Sequence, residues 1–212
     1  MKHTDTIAPR AALATALLLA AIVAPELAAQ TYVSNILGRL PAGTWHYPAM
    51  VPMRDGVRLA TDIYVPPGTG TWPCAMIRTA YGRDNSGLAS YAGQVSNAGY
   101  AAVLVIQDPR GDGGSEGAGT FDPFNSENEI EDGYDAVEWC AIQTWCNGRV
   151  GIYGGSGHGL CAAMAYLGKP PHLVAVRPSN TAGNTMEAWA FENRGRRWAY
   201  AWMSHRGASV PT

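Results

Sequence analysis

The sequence is poor in charge. Lys, Arg, Asp and Glu make up 15% of its 212 residues and the formal net charge is -2, so nothing electrostatic favours nucleic acid or an anionic membrane surface as a partner. It has no internal repeat and no low-complexity tract. Its four cysteines show no paired spacing, with each other or with histidines, of the kind that builds a zinc site, and no other metal or cofactor is implied. A bilayer-spanning helix needs about 20 apolar residues, and the uncharged run Ala11–Val23 is shorter than that. What the chain does have is a hydrophobic fraction of 47%, enough for one sizeable core.

The first 29 residues stand apart. Lys2, His3 and Arg10 make a basic start, the apolar run follows, and the small residues Ala28 and Ala29 precede Gln30. This order reads as a secretory signal peptide cut after Ala29, with an uncleaved N-terminal anchor as the alternative because Leu27 is not an ideal residue three before the cut. Neither a twin arginine nor a lipobox cysteine lies near the cut, so the expected destination is the periplasm or the medium, with no stable membrane insertion after cleavage. In an oxidising compartment, Cys140 and Cys146 flank a predicted helix end and are candidates for a local disulfide. Cys74 and Cys161 read as small buried apolar residues.

Beyond the leader, Ala49–Met53 and Val57–Tyr64 are strand-like runs joined by the turn signal Arg54-Asp55-Gly56. Ala75–Thr79 is a short strand, and Leu88–Ala98 has helical spacing and stops at Gly99. Tyr100–Ile106 is apolar without alternation, as in a strand covered on both faces. Ser126 and Glu129 read as a capping box opening a helix that carries Ile130, Tyr134, Val137 and Ala141 on one face. Asn147-Gly148 reads as a turn, Val150–Tyr153 as a strand, Gly157–Leu167 as a helix and Leu173–Arg177 as a strand. Alternating strands and helices predict a mostly parallel sheet with right-handed crossovers, entered through an antiparallel hairpin.

The chemistry points to Val150-Gly151-Ile152-Tyr153-Gly154-Gly155-Ser156-Gly157-His158-Gly159. An apolar strand runs into a glycine-rich turn with a serine at its apex, and a helix begins behind it. This is the setting of a nucleophile elbow, where small neighbours let strand and helix pass closely around a strained serine. The helix N-terminus offers free N–H groups to an oxyanion. A phosphate-cradling glycine loop is the competing interpretation, and the segment lacks the Lys-Ser/Thr ending of a P-loop.

Several flanking segments resemble one family. They are Met53-Arg54-Asp55-Gly56-Val57-Arg58-Leu59, Arg78-Thr79-Ala80-Tyr81-Gly82, Gln107-Asp108-Pro109-Arg110-Gly111, Gly114-Ser115-Glu116-Gly117, Glu131-Asp132-Gly133-Tyr134-Asp135, Glu138-Trp139 and Trp145-Cys146-Asn147-Gly148-Arg149-Val150-Gly151. In that order, over about residues 45–180, they are similar to the CocE/NonD, peptidase S15-type family of cocaine esterase, α-amino-acid ester hydrolases, glutaryl acylases and Xaa-Pro dipeptidyl-peptidases. The resemblance implies an α/β-hydrolase fold and a serine hydrolase acting on esters, amides or short peptides. It implies Ser156 as nucleophile, the Gly157 N–H as one oxyanion donor and the Tyr81 hydroxyl as the other. Gly157 stands where the family motif has tyrosine, which predicts a more flexible elbow. Asp108, Arg110 and Glu116 are not expected to act on substrate: the resemblance implies a structural segment, with Asp108 and Arg110 bracing the loop beside the elbow. Asp132 and Asp135 are expected to be cap and surface charges.

A serine nucleophile needs a base and an acid to orient it. After Ser156 the chain offers Glu187 and Glu192, and His158, His172 and His205. The order Ser156, Glu187, His205 is available, yet no further strand precedes Glu187 to carry an acid loop. Residues 184–206 read as aromatic-rich helical cap material. The expected organisation is therefore a signal peptide over 1–29, the N-terminal part of an α/β-hydrolase domain over 30–182 and the start of a cap over 183–212. The triad acid and histidine are expected to be missing, leaving the chain inactive alone. The alternative is a secreted binding domain that kept half of the fold without the chemistry.

Overall fold

A computed structural model describes residues 30–99, 101–118 and 127–181. The first strands, β1 (Trp45–Pro52) and β2 (Arg58–Val65), form an antiparallel hairpin. Gly56 adopts φ 88° at its tip, a conformation open to glycine, and its N–H donates to the Met53 carbonyl at 2.9 Å. The remaining strands are β3 (Trp72–Arg78), β4 (Val103–Gln107), β5 (Cys146–Gly155) and β6 (Leu173–Ser179), and the sheet order is β1-β2-β4-β3-β5-β6. β2 meets β4 antiparallel, while β4, β3, β5 and β6 run parallel. This is the mostly parallel sheet that the strand–helix alternation predicts.

Side chains alternate between two cores, as the pleat requires. On one face Ile63, Val65, Cys74, Met76, Val103, Val105, Val150 and Ile152 meet helix α3 (Glu127–Ala141) and helix α4 (Gly157–Leu167) through Ala136, Val137, Cys140, Ala162 and Ala165. On the other, Tyr64, Ile77, Leu104 and Ile106 pack against helix α2 (Leu88–Asn97) through Leu88, Ala92 and Val95. Ile36, from a helix α1 over residues 30–37, joins this second core. The central strand β4 is buried at every position, which is why its sequence shows no alternation. Helices α3 and α4 touch closely: a Cβ at Gly133 would lie 2.7 Å from the Ala165 Cα. The result is an α/β-hydrolase arrangement, a sheet with helices on both faces.

Several sequence expectations need correction. Helix α1 was not expected. The Asn147-Gly148 pair is no separate turn. It lies inside β5, with Gly148 at φ 80°. Cys140 and Cys146 are not bridged; all four thiols are free and buried. Cys74, Cys140 and Cys146 share one core cluster, where burial raises the Cys74 thiol well above its usual pKa. The Glu129 carboxylate pairs with Arg78, and Ser126, its partner in the expected capping box, lies outside the described residues. Among the described residues no helix is long and apolar enough to cross a membrane, and no cluster of His, Cys, Asp and Glu could hold a metal ion. The expected leader and the cap region, including Glu187, Glu192 and His205, lie outside the described residues.

Candidate active site

Strand β5 ends at Gly155 and helix α4 begins at Gly157, leaving Ser156 alone at the apex with φ 56° and ψ −123°. That backbone conformation is sparsely populated for a residue with a side chain. The neighbours explain how it is held. A Cβ at Gly154 would come within 2.4 Å of the His158 Cβ, and one at Gly159 within 2.9 Å of the Ser179 carbonyl oxygen. Glycine at both positions lets strand and helix approach. The Ser156 N–H donates to the Ser179 carbonyl at 2.9 Å, and the Leu160 N–H returns to the Ser156 carbonyl at 3.0 Å.

Two tyrosine hydroxyls pin the turn from the opposite side. Gly155 N–H donates to the Tyr91 hydroxyl and Gly157 N–H to the Tyr81 hydroxyl, both at 3.0 Å. The Tyr81 oxygen also lies 3.1 Å from Ser156 Oγ. The structure thus brings Ser156, Gly157 and Tyr81 together, over more than seventy residues of sequence. Tyr91 had no sequence signal; it is the lone aromatic of α2 and sits outside the glycine-rich segment.

Tyr81 is fixed by a polar cluster. Its N–H donates to Thr79 Oγ1 at 3.2 Å. Two residues on, Arg83 donates from its N–H and Nε to Asp108 at 2.8 and 2.9 Å, and Nη1 contacts Asp62 at 2.8 Å. Asp108 also accepts from Gly114 N–H, and Asp62 from Tyr32 and His46. Burial pushes the Asp108 carboxyl above its ordinary value, although Gly114 N–H and Arg83 pull the other way. Asp108 does brace the loop, but through Arg83. Arg110 instead clamps Asp132 at 3.0 and 2.6 Å and Asp55 at 2.6 Å. Asp132 is therefore not a surface charge; it is 1% exposed beneath Arg110. Glu116 pairs with Arg58 and Asp135 with Arg54.

Beneath the elbow Arg78 is fully buried. Its guanidinium meets the Glu129 carboxylate and donates to Gln107 Oε1 at 2.9 Å. His158 is wedged edge-on between Tyr81 and Tyr91, with ring centroids 4.9 and 5.3 Å away. Burial lowers its pKa from 6.5 to about 4, so it is neutral at pH 7.

The sign of that shift sets a pH dependence. The unfolded chain takes up the proton first as pH falls below 6.5, so folded stability declines through the window down to about 4. The loss between pH 7.5 and 4.5 is about 2.5 kcal/mol. In urea titrations at those two pH values, His158→Asn should lose less stability than wild type by about that amount. An identical acid loss in both proteins contradicts this.

None of the three described histidines bonds Ser156. His46 pairs with Asp62, and His172 pairs with Glu138 at 2.7 Å at the end of the sheet away from the elbow. Among the described residues the hydrogen-bond partner of Ser156 Oγ is Tyr81.

Comparison with known proteins follows the same lines. The sequence profile of the X-Pro dipeptidyl-peptidase (S15 family) matches residues 55–210. Cocaine esterase of Rhodococcus sp. (strain MB1 Bresler) is 37% identical over 145 residues, covering 66% of this chain and 24% of that protein. An aminopeptidase from the marine sediment archaeon Thaumarchaeota archaeon superposes with a TM-score of 0.57 at 30% identity, over 69% of this chain and 27% of that one. A CocE/NonD family hydrolase from Staphylococcus aureus reaches 0.63 at 23% identity, over 77% and 33%, a likeness of fold alone. The chain spans about a quarter of the length of the curated relatives it matches.

Proposed function

Because the chain belongs to the X-Pro dipeptidyl-peptidase (S15) family, whose relatives here are hydrolases, we propose that it is an exported serine hydrolase that cleaves ester or amide bonds through an acyl-enzyme on Ser156. The observation that carries this reading is the elbow itself, a strained serine at a helix N-terminus with a tyrosine hydroxyl 3.1 Å from its Oγ. Export is supported by the basic start, the apolar run and the small residues before Gln30.

In this reading Ser156 Oγ attacks the substrate carbonyl and gives its proton to a base. Negative charge gathers on the carbonyl oxygen, where the Gly157 N–H and the Tyr81 hydroxyl receive it. The leaving group departs with a proton, and water then releases the acyl group from Ser156. The base and its acid come from outside the described residues, since no described histidine bonds Ser156. The described segment alone is expected to turn over no simple ester. The substrate is a small ester or amide or a short peptide, including Xaa-Pro dipeptidyl bonds.

One observation favours the second reading, a secreted binding domain without catalysis: the hydroxyl of Ser156 meets a tyrosine rather than a histidine. Turnover of a 4-nitrophenyl ester by the full-length protein separates the two. The hydrolase reading expects turnover that Ser156→Ala abolishes; turnover untouched by Ser156→Ala overturns it. Tyr81→Phe, which removes one oxyanion donor, should lower kcat by about 10²–10³ with little change in KM. An equal loss confined to KM would assign Tyr81 to substrate binding instead.

A further inference from the structure

The Tyr81 hydroxyl lies too close to the Gly157 N–H for both to serve one oxyanion as they stand. Two donors that converge on a single oxygen, each about 2.7–3.1 Å from it and at roughly a tetrahedral angle, are about 4.7 Å apart. Here the two atoms are 3.0 Å apart, and the N–H donates to the hydroxyl oxygen itself. The same oxygen is 3.1 Å from Ser156 Oγ. The phenol occupies the place where a carbonyl oxygen would enter.

The cause is the missing side chain at position 157. A Cβ there would meet the Tyr81 hydroxyl oxygen at 2.8 Å, Cζ at 2.9 Å and Cε2 at 3.0 Å. Two of these three atoms are ring carbons, so rotating the hydroxyl relieves nothing. Any residue other than glycine forces the ring away from the turn. Gly157 is not at a positive φ, so the backbone makes no demand for glycine. What glycine does here is admit the ring.

Resting on the nucleophile reading of Ser156, we propose that Gly157 is a positioning residue that lets Tyr81 cap the oxyanion donor in the resting site, and that the ring withdraws before an acyl carbonyl enters. The capped and open arrangements share the protein between them, and reactivity scales with the open fraction. Hydrogen bonds with the Gly157 N–H and with Ser156 Oγ hold the cap, and the first alone corresponds to an about five- to tenfold bias.

Two measurements on the full-length protein test this. The first does not depend on activity. Hydrogen exchange at the Gly157 amide should speed up about tenfold in Tyr81→Phe, while the Gly155 amide, held by Tyr91, stays as it was. Equal exchange at Gly157 in both proteins overturns the cap. The second is the rate of Ser156 labelling by a fluorophosphonate. Gly157→Ala should raise it about five- to tenfold, whereas a substitution that only damages the elbow lowers it. An unchanged or slower rate overturns the proposal. If Ser156 is labelled in neither protein, the nucleophile reading fails, and the exchange result still decides whether Tyr81 caps the Gly157 N–H.

Discussion

Ser156→Gly should destroy hydrolysis and at the same time make the protein more stable. Ser156 carries φ 56° and ψ −123°, and a residue held in such a region costs about 1–3 kcal/mol. Glycine reaches that region with no Cβ in the way. Against the relief stand the lost contact with Tyr81 at 3.1 Å and the extra entropy of glycine in the unfolded chain. The balance is a gain of about 1 kcal/mol, or roughly 2–4 °C in melting temperature for a chain of this size. Ser156→Ala loses the same hydroxyl but keeps the Cβ, so it should show no such gain. Both should drop kcat by about 10⁶ if Ser156 is the nucleophile. Thermal unfolding of the three proteins beside ester turnover decides the matter. A destabilised Ser156→Gly would mean that the turn is not strained.

The second large effect lies beneath the elbow. Arg78 is 0% exposed and Glu129 6% exposed, and their ion pair is closed off from water by β3, β4 and α3. Removing one partner leaves the other buried and unpaired, which costs about 3–5 kcal/mol. Glu129→Leu should therefore lower stability in urea titration by that amount. The double substitution Arg78→Met with Glu129→Leu should recover most of it, because a well-packed apolar pair is often as good as a buried ionic one. Burial raises the Glu129 carboxyl to about 7 despite Arg78 beside it, consistent with a pair whose desolvation cost is high. If Glu129→Leu costs less than about 1 kcal/mol, the charge on Arg78 is being compensated elsewhere.

The parts legible in the sequence were those with local causes. The Arg54-Asp55-Gly56 turn, the unalternating run of β4 and the helix Gly157–Leu167 follow from neighbouring residues. Ser156 was legible because the elbow needs glycines at fixed offsets. Tyr81 was found through family resemblance, since nothing in its own segment points across 75 residues to Ser156. The polar cluster was illegible for the same reason. Arg83 reaches Asp108 and Asp62 across the ends of the strands, and no spacing rule pairs a loop arginine with particular carboxylates. Asp132 was misread because acids in the early turns of a helix ordinarily face water; here Arg110 follows it inward. The cysteine expectation rested on spacing alone; Cys140 and Cys146 lie in one buried core with Cys74, and their thiols are free.

The central claim is that Ser156 is an activated nucleophile. Its most direct test is to treat the full-length protein with a fluorophosphonate and locate the adduct by peptide mass mapping. The account predicts a single adduct on Ser156, absent from Ser156→Ala. No adduct, or an adduct on another residue that persists in Ser156→Ala, would contradict it.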